Sequence, residues 1–393
     1  MPADVRLSRR VNDLHASPVR EILALIDRPG MISFAGGLPA AATFPALDAA
    51  VVPRALLQYG PSEGEPALRE AVAADVTAIG LHCTPAQVLI LSGSQQGIDL
   101  VAKLFVDAGT PVALESPTYL AALQVLRFFG ARFVALNPDP SAAPWAADLA
   151  PALLYTIPTF QNPTGRCLTA GERAALAHRC DERGVTLFED DPYRDLAYDD
   201  CERTPVCARL ERAPWIYQGS FSKSLAPGLR LGFLVAAPAL VPYLTRLKQA
   251  ADLHSSRVSQ FLVLQQLQHP GRAERLAGVV AAYRRKRDRF AAALERHFSG
   301  LATWSTPPGG LFFWLRLERN IDTRALLPAA LERGVAFMPG EPFYPEGSAA
   351  CGALRLNFSH ATEEQSERGL AILSDLVRER LGSAPVPLRA AHA

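Results

Sequence analysis

One lysine in this chain stands where an amine could do chemistry. Lys223 lies in the stretch Gly219-Ser220-Phe221-Ser222-Lys223-Ser224-Leu225-Ala226-Pro227-Gly228-Leu229-Arg230-Leu231-Gly232. Apolar runs lead in, Trp215-Ile216-Tyr217, and out, Leu231–Val235, so the stretch reads as a turn between two buried strands. An amine on such a turn can reach a ligand lying over the strand ends. The hydroxyls of Ser220, Ser222 and Ser224 and the planar donor fork of Arg230 can hold a phosphate. Taken alone, the stretch fits a plain surface-loop lysine equally well. A P-loop is excluded, because Ser222 precedes the lysine and the second glycine of that motif is missing. The chain has only four lysines. Lys103 and Lys248 fall in helical patterns, and Lys286 sits in the basic run Arg284–Arg287, read as a solvated helix face.

Two other stretches carry polar groups suited to a ligand. Ser92-Gly93-Ser94-Gln95-Gln96-Gly97 follows an apolar run and opens a helical pattern, so its backbone N–H groups, with Ser94 and Gln95, can bind an anion or simply cap the helix. Glu189-Asp190-Asp191-Pro192-Tyr193 ends another apolar run. Adjacent carboxylates there are unfavourable unless one has a cationic partner.

These stretches need elements to hold them. Apolar runs at Val88–Leu91, Val112–Glu115, Phe133–Leu136, Ala152–Ile157, Thr186–Glu189, Trp215–Tyr217 and Leu231–Val235 alternate with segments of helical period. The pattern predicts an α/β fold, a mostly parallel seven-stranded sheet covered by helices on both faces. Ligands of such sheets bind beyond the carboxyl ends of the strands. A helix is expected over Pro66–Ala78 and a shorter one from Ser17 to Asp27, with Ser17 as N-cap. Past residue 245 the alternation fades. A long helix and runs near Leu311–Leu315, Val335–Gly340 and Leu354–Ser359 then predict a smaller α+β domain. The expected division is an N-terminal arm over 1–45, a large domain over 46–289, a small domain over 290–380 and a disordered tail over 381–393.

Ser220 to Gly232 closely resembles the cofactor-lysine segment of the pyridoxal-phosphate aminotransferases of fold type I, nearest the branch of 2-aminoadipate and kynurenine aminotransferases. The resemblance runs in order along nearly the whole chain. It implies that Lys223 bonds to the cofactor aldehyde, and later carries a proton, and that Asp190 pairs with the ring nitrogen. Asn162, in Gln161-Asn162-Pro163-Thr164-Gly165, and Tyr193 would reach the phenolate oxygen, and Tyr119 would stack on the ring. Ser94, Gln95, Ser220, Ser222 and Arg230 would hold the phosphate. Tyr59 matches a residue that reaches the phosphate of the neighbouring subunit, which implies a homodimer with shared sites. Arg355 would grip the substrate α-carboxylate, Asn162 and the Gly36-Gly37 loop would border the substrate, and Arg20 would hold its far end. Asp191 reads instead as an N-cap acid. The implied reaction is a ping-pong amino transfer between an L-amino acid and a 2-oxo acid, 2-oxoglutarate being the expected acceptor. The amino donor would be 2-aminoadipate-like, aromatic or a specialised biosynthetic amino acid.

Other pyridoxal-phosphate reactions, by a lyase, decarboxylase or oxidase, remain compatible with the same scaffold. A transcription factor joining a DNA-binding winged helix to such a domain fits poorly, with about thirty residues before Ala35-Gly36-Gly37 and no basic recognition helix. Nor does a non-catalytic interaction protein suit the set Lys223, Asp190, Arg230 and Arg355. The 393 residues are 49% hydrophobic and 20% charged with a net charge of +1, so no global field points to nucleic acid or a membrane surface. Six cysteines without a CxxC pair suit free thiols in a reducing cytoplasm. No metal site, apolar leader or membrane-spanning run is expected.

Overall fold

The computed structural model describes residues 8–12, 30–48, 51–136, 145, 149–345 and 351–382. Along the chain the strands are β1 (Ile32–Ser33), β2 (Val88–Leu91), β3 (Pro111–Leu114), β4 (Arg132–Ala135), β5 (Leu153–Thr156), β6 (Thr186–Asp190), β7 (Trp215–Ser220), β8 (Gly232–Ala236), β9 (Ala302–Thr303), β10 (Phe312–Leu317), β11 (Val335–Ala336), β12 (Met338–Pro339) and β13 (Ala353–Asn357).

Strands β2 to β8 form one 7-stranded sheet in the order β2-β8-β7-β6-β5-β3-β4. Its members coincide with the seven runs read from the sequence. Only β8 is reversed, pairing antiparallel with β2 and β7, while β7-β6, β6-β5, β5-β3 and β3-β4 pair in parallel. Strand alternation divides the side chains between two cores. Leu154, Leu187 and Tyr217 pack on one face with Leu68, Val72 and Val76 of the Pro66–Ala78 helix. Tyr155, Phe188 and Ile216 pack on the other with Ile98 and Val101 of the Ser94–Phe105 helix and Leu123 of the Leu120–Phe128 helix. Both faces are therefore dry, which is why β2, β5 and β6 are buried throughout.

A second layer surrounds a 4-stranded sheet of order β12-β13-β10-β9, with β1 and β11 paired beside it. The expected run Val335–Gly340 divides into β11 and β12. The 27-residue helix Arg272–Phe298 packs on the last helix, Glu363–Gly382, and buries Phe290, Leu294 and Phe298 against Phe313 and Phe358. The basic run on this helix is only partly a solvated face: Arg284 and Arg285 are exposed, the next two residues are not. Arg287 is buried, ion-pairs with Asp199 and donates to Pro307 O at 2.8 Å, while half-buried Lys286 donates to Ala361 O at 2.9 Å. Spacing marks those residues as polar, but it cannot show that a loop carbonyl comes to meet them. The Glu363–Gly382 helix also extends into the segment expected to be a tail. The expected helix Ser17–Asp27 lies outside the described residues.

Candidate active site

The carboxyl ends of β5, β6 and β7 and the turn after β2 converge on one cleft of ≈ 260 Å³. Ser94, Gln95, Tyr119, Asn162, Asp190, Tyr193, Ser220, Ser222, Lys223 and Arg230 line it, each expected there from the sequence.

The Ser94–Phe105 helix opens toward the cleft immediately after Gly93. Gly93 has φ 87°, and a Cβ there would meet Arg230 Nη2 at 2.5 Å. Glycine thus serves both the left-handed turn and the close approach of the guanidinium. Arg230 itself is left-handed, φ 49°, an uncommon conformation for a side-chain-bearing residue. This end of the cleft gathers a helix N-terminus, the side-chain donors of Ser94, Gln95, Ser220 and Ser222, and a guanidinium, a donor set matched to a phosphate.

At the other end Asp190 is buried. Its Oδ2 accepts from Tyr155 Oη and its Oδ1 from Gln218 Nε2, each at 2.8 Å. Burial raises its pKa, the two hydrogen bonds lower it and neighbouring Asp191 raises it, the net being about 6. No protein cation is among the influences on it. Asp191 is not a helix cap. It ion-pairs with Arg194 at 3.2 Å and accepts from Tyr217 Oη at 3.0 Å.

Lys223 projects over the Tyr193 ring, 6.0 Å from its centroid, and donates to Gly37 O at 2.9 Å. Burial and then the charges of Arg355 and Arg230 lower its pKa to about 8. Gly37 is held close to Phe312, whose Cζ would lie 3.0 Å from an added Cβ. Tyr193 Oη lies 3.4 Å from Asn162 Nδ2. Asn162 Oδ1 accepts in turn from Arg355 Nη1 at 2.9 Å.

Arg355 is the surprise of polarity in β13. A strand arginine is ordinarily exposed, yet this one is 3% accessible. It lies between the rings of Phe312 and Phe343, 4.3 and 5.1 Å from their centroids, and Nη2 donates to Ala35 O. Its Nε has no hydrogen-bond partner among the described residues. Burial lowers its pKa to about 10, so it stays charged at neutral pH.

One expected residue lies apart from this cluster. Tyr59 is 76% exposed and sits edge-on to His254, 5.8 Å between ring centroids. Arg20 lies outside the described residues. Sequence reading missed Tyr155 and Gln218, which hold Asp190: Tyr155 falls inside a run read as purely apolar, and Gln218 falls between the Trp215–Tyr217 run and the lysine stretch. Their signal was a polar-tipped residue near the carboxyl end of a strand next to the acid.

The family model for aminotransferases of class I and II matches residues 33–373. The chain belongs to the class I and II aminotransferases. The 2-aminoadipate transaminase of Thermus thermophilus is 40% identical over 91% of this chain and 92% of its own length. An aromatic-amino-acid aminotransferase of Thermococcus litoralis is 32% identical over 95% of this chain and 94% of its own length. Among solved structures, an alpha-aminoadipate aminotransferase of Thermus thermophilus, complexed with N-(5′-phosphopyridoxyl)-L-leucine, superposes with a TM-score of 0.86. It is 37% identical, and the match covers 96% of this chain and 98% of that one. The chain is therefore a transaminase of fold type I, and its family's cofactor is pyridoxal 5′-phosphate. The residues present fit that group: a phosphate-type donor set lies at one end of the cleft, an amine stands between, and at the other end is a buried acid without a protein cation. No helix among the described residues is long and apolar enough to cross a membrane.

Proposed function

We propose that this transaminase takes a 2-aminoadipate-like or aromatic L-amino acid as donor and 2-oxoglutarate as acceptor, in the cytoplasm, as a homodimer. The observation that carries the reading is the link from Arg355 through Asn162 to Tyr193 beside Lys223, which joins a carboxylate-binding fork to a poised amine.

When bound, pyridoxal phosphate supplies an aldehyde and a protonated ring that accommodates charge developing at the substrate α-carbon. Ser94, Gln95, Ser220, Ser222 and Arg230 hold its phosphate, and Tyr119 packs on its ring. Asp190 holds the ring-nitrogen proton by offering a buried anion, oriented by Tyr155 and Gln218. Asn162 and Tyr193 offer hydrogen bonds at the phenolate oxygen. Arg355 binds the α-carboxylate, for which its unpartnered Nε is available, and Phe312 and Phe343 fix the plane of the fork. Such clamping orients the Cα–H bond for removal in preference to the bond to the carboxylate. Lys223 Nζ, with its lowered basicity, is then the base that takes the proton from Cα. The Gly37 loop borders the substrate side chain, and Arg20 is the residue for an acidic tail. Tyr59, on the surface of its own chain, serves the phosphate site of the second subunit. In this reading residues 46–289 carry the cofactor, while 290–380 and the N-terminal arm form the smaller lobe.

The test is a visible spectrum recorded across a panel of amino donors. A good donor bleaches the yellow band of the loaded enzyme and a 2-oxo acid restores it. Sustained oxygen uptake or carbon dioxide release without that reversal would refute the transamination of these substrates.

A further inference from the structure

Two thiols outside the cleft lie against each other. Cys167 follows the turn that carries Asn162, and Cys201 lies in the segment after Tyr198. Both are half-buried free thiols that pack on the same apolar cluster. Their side chains are hydrogen-bonded to each other. Cys167 Sγ–H also donates to the carbonyl of Glu202, the neighbour of Cys201, at 3.1 Å, and Cys167 Sγ accepts from Arg173 Nη2 at 3.6 Å. Arg173 is wholly buried and held by the carbonyls of Leu168, Pro158, Glu202 and Thr204, so its guanidinium is fixed beside the sulfur. The thiol hydrogen bond and the Arg173 charge favour the thiolate of Cys167, while the same hydrogen bond and burial favour the protonated form of Cys201. The other four thiols, Cys83, Cys180, Cys207 and Cys351, are pushed up, with burial as the largest cause.

We propose that Cys167 and Cys201 are a peroxide-responsive pair that closes to an intrachain disulfide, with Cys167 the attacking sulfur and Cys201 the resolving one. Thiolate character and a nearby second thiol are what such a pair requires. The Cys167 thiolate attacks one oxygen of hydrogen peroxide, forming an S–O bond, breaking the O–O bond and releasing hydroxide. The Cys201 sulfur then displaces the hydroxyl from Cys167, and the Cys201 proton leaves with it as water. Two electrons pass from the two sulfurs to peroxide, and one S–S bond results. Neither sulfur lines the cleft, so the tie leaves turnover alone. It encloses β6 with Asp190 and Tyr193 in a covalent ring, which raises resistance to thermal unfolding.

The experiment treats the holoenzyme with hydrogen peroxide, quenches it, denatures it and counts thiols. Two of the six are expected to disappear, with a mass loss of about 2 Da reversed by dithiothreitol. Peptide mapping should join the segments holding Cys167 and Cys201, and the unfolding midpoint should rise. In Cys201→Ala the cross-link is absent and Cys167 gains two oxygens instead. Six thiols surviving in the treated wild type, a cross-link mapped to other cysteines, or loss of two thiols in Cys201→Ala would overturn the assignment. An unchanged midpoint in the cross-linked wild type would overturn the stabilising effect.

Discussion

Lys223 is expected to be far more reactive at neutral pH than an ordinary lysine, and its basicity can be read without turnover. Burial, then the charges of Arg355 and Arg230, lower its pKa from 10.5 to about 8. At pH 7 the uncharged fraction rises from about one in three thousand to about one in ten, a gain of about 300-fold in available nucleophile. The assay mixes cofactor-free protein rapidly with pyridoxal phosphate and follows growth of the yellow band against pH. The rate constant should rise with pH below about 8 and level off above it. A rate constant still climbing tenfold per unit at pH 10 would refute the lowered basicity. Arg355→Met removes one repelling cation, so the plateau should move to higher pH. Its displacement should be smaller than the whole shift, because burial is the largest cause. An unmoved plateau would show that the guanidinium does not act on the amine. The sign for folding follows by linkage. Between about 8 and 10.5 the unfolded chain holds this proton more tightly than the folded one. The Lys223 contribution to stability therefore increases as pH rises through that window.

Three further outcomes follow from the same geometry. Asp190→Asn keeps the shape but removes the buried anion, so kcat should fall by roughly a hundred- to thousand-fold while Asn still receives the Tyr155 hydrogen bond; steady-state kinetics checks it, and an undiminished kcat rules it out. Arg355→Lys replaces a planar fork with a point charge and should cut kcat/KM for amino acids by on the order of a hundredfold, measured for one donor against its matched amine lacking the carboxylate, whose rate should change little. Arg173→Met leaves the carbonyls of Pro158, Leu168, Glu202 and Thr204 without their shared donor and Glu189 without a cation 4.0 Å away, so the chain should lose about 3–5 kcal/mol in a denaturant titration.

The large sheet was legible because both its faces are covered. Runs such as Val88-Leu89-Ile90-Leu91 carry no alternation to confuse with an amphipathic helix, and a glycine or proline turn bounds most of them. The cleft was legible because its residues cluster in short turns directly after those strands. What escaped was long-range polarity. Tyr155 looks apolar among Leu153 and Leu154 until Asp190, 35 positions away, supplies an acceptor for its hydroxyl. Lys248 reads as one more helical lysine, yet it is fully buried and donates to Gln96, Asp252 and Ser255 behind the phosphate turn. Arg287 likewise needs Asp199 and the Pro307 carbonyl before burial is possible. Each partner is far away in sequence, so no local pattern announces it.

The three consecutive acids at the end of β6 show how this scaffold reserves a charge for its ligand. All three side chains are buried, and burial alone would drive each toward the neutral form. Alternation sends Glu189 and Asp191 to one face of the sheet, where Arg173 and Arg194 stand. Asp190 faces the other way, and its protein partners, Tyr155 and Gln218, donate hydrogen bonds without bringing charge. An acid of this kind, raised to about 6, is ionised at pH 7 but poorly compensated. A cationic ring nitrogen would bring it back down, and the acid would in return raise the basicity of that nitrogen by the same free energy. Had an arginine stood beside Asp190 as one stands beside Asp191, the carboxylate would already be satisfied and the coupling to the ring would be weak. An arginine placed there should therefore stabilise the cofactor-free protein while weakening retention of pyridoxal phosphate, measured by dialysis of the loaded enzyme. Equal retention would show that the charge of Asp190 is not what holds the ring.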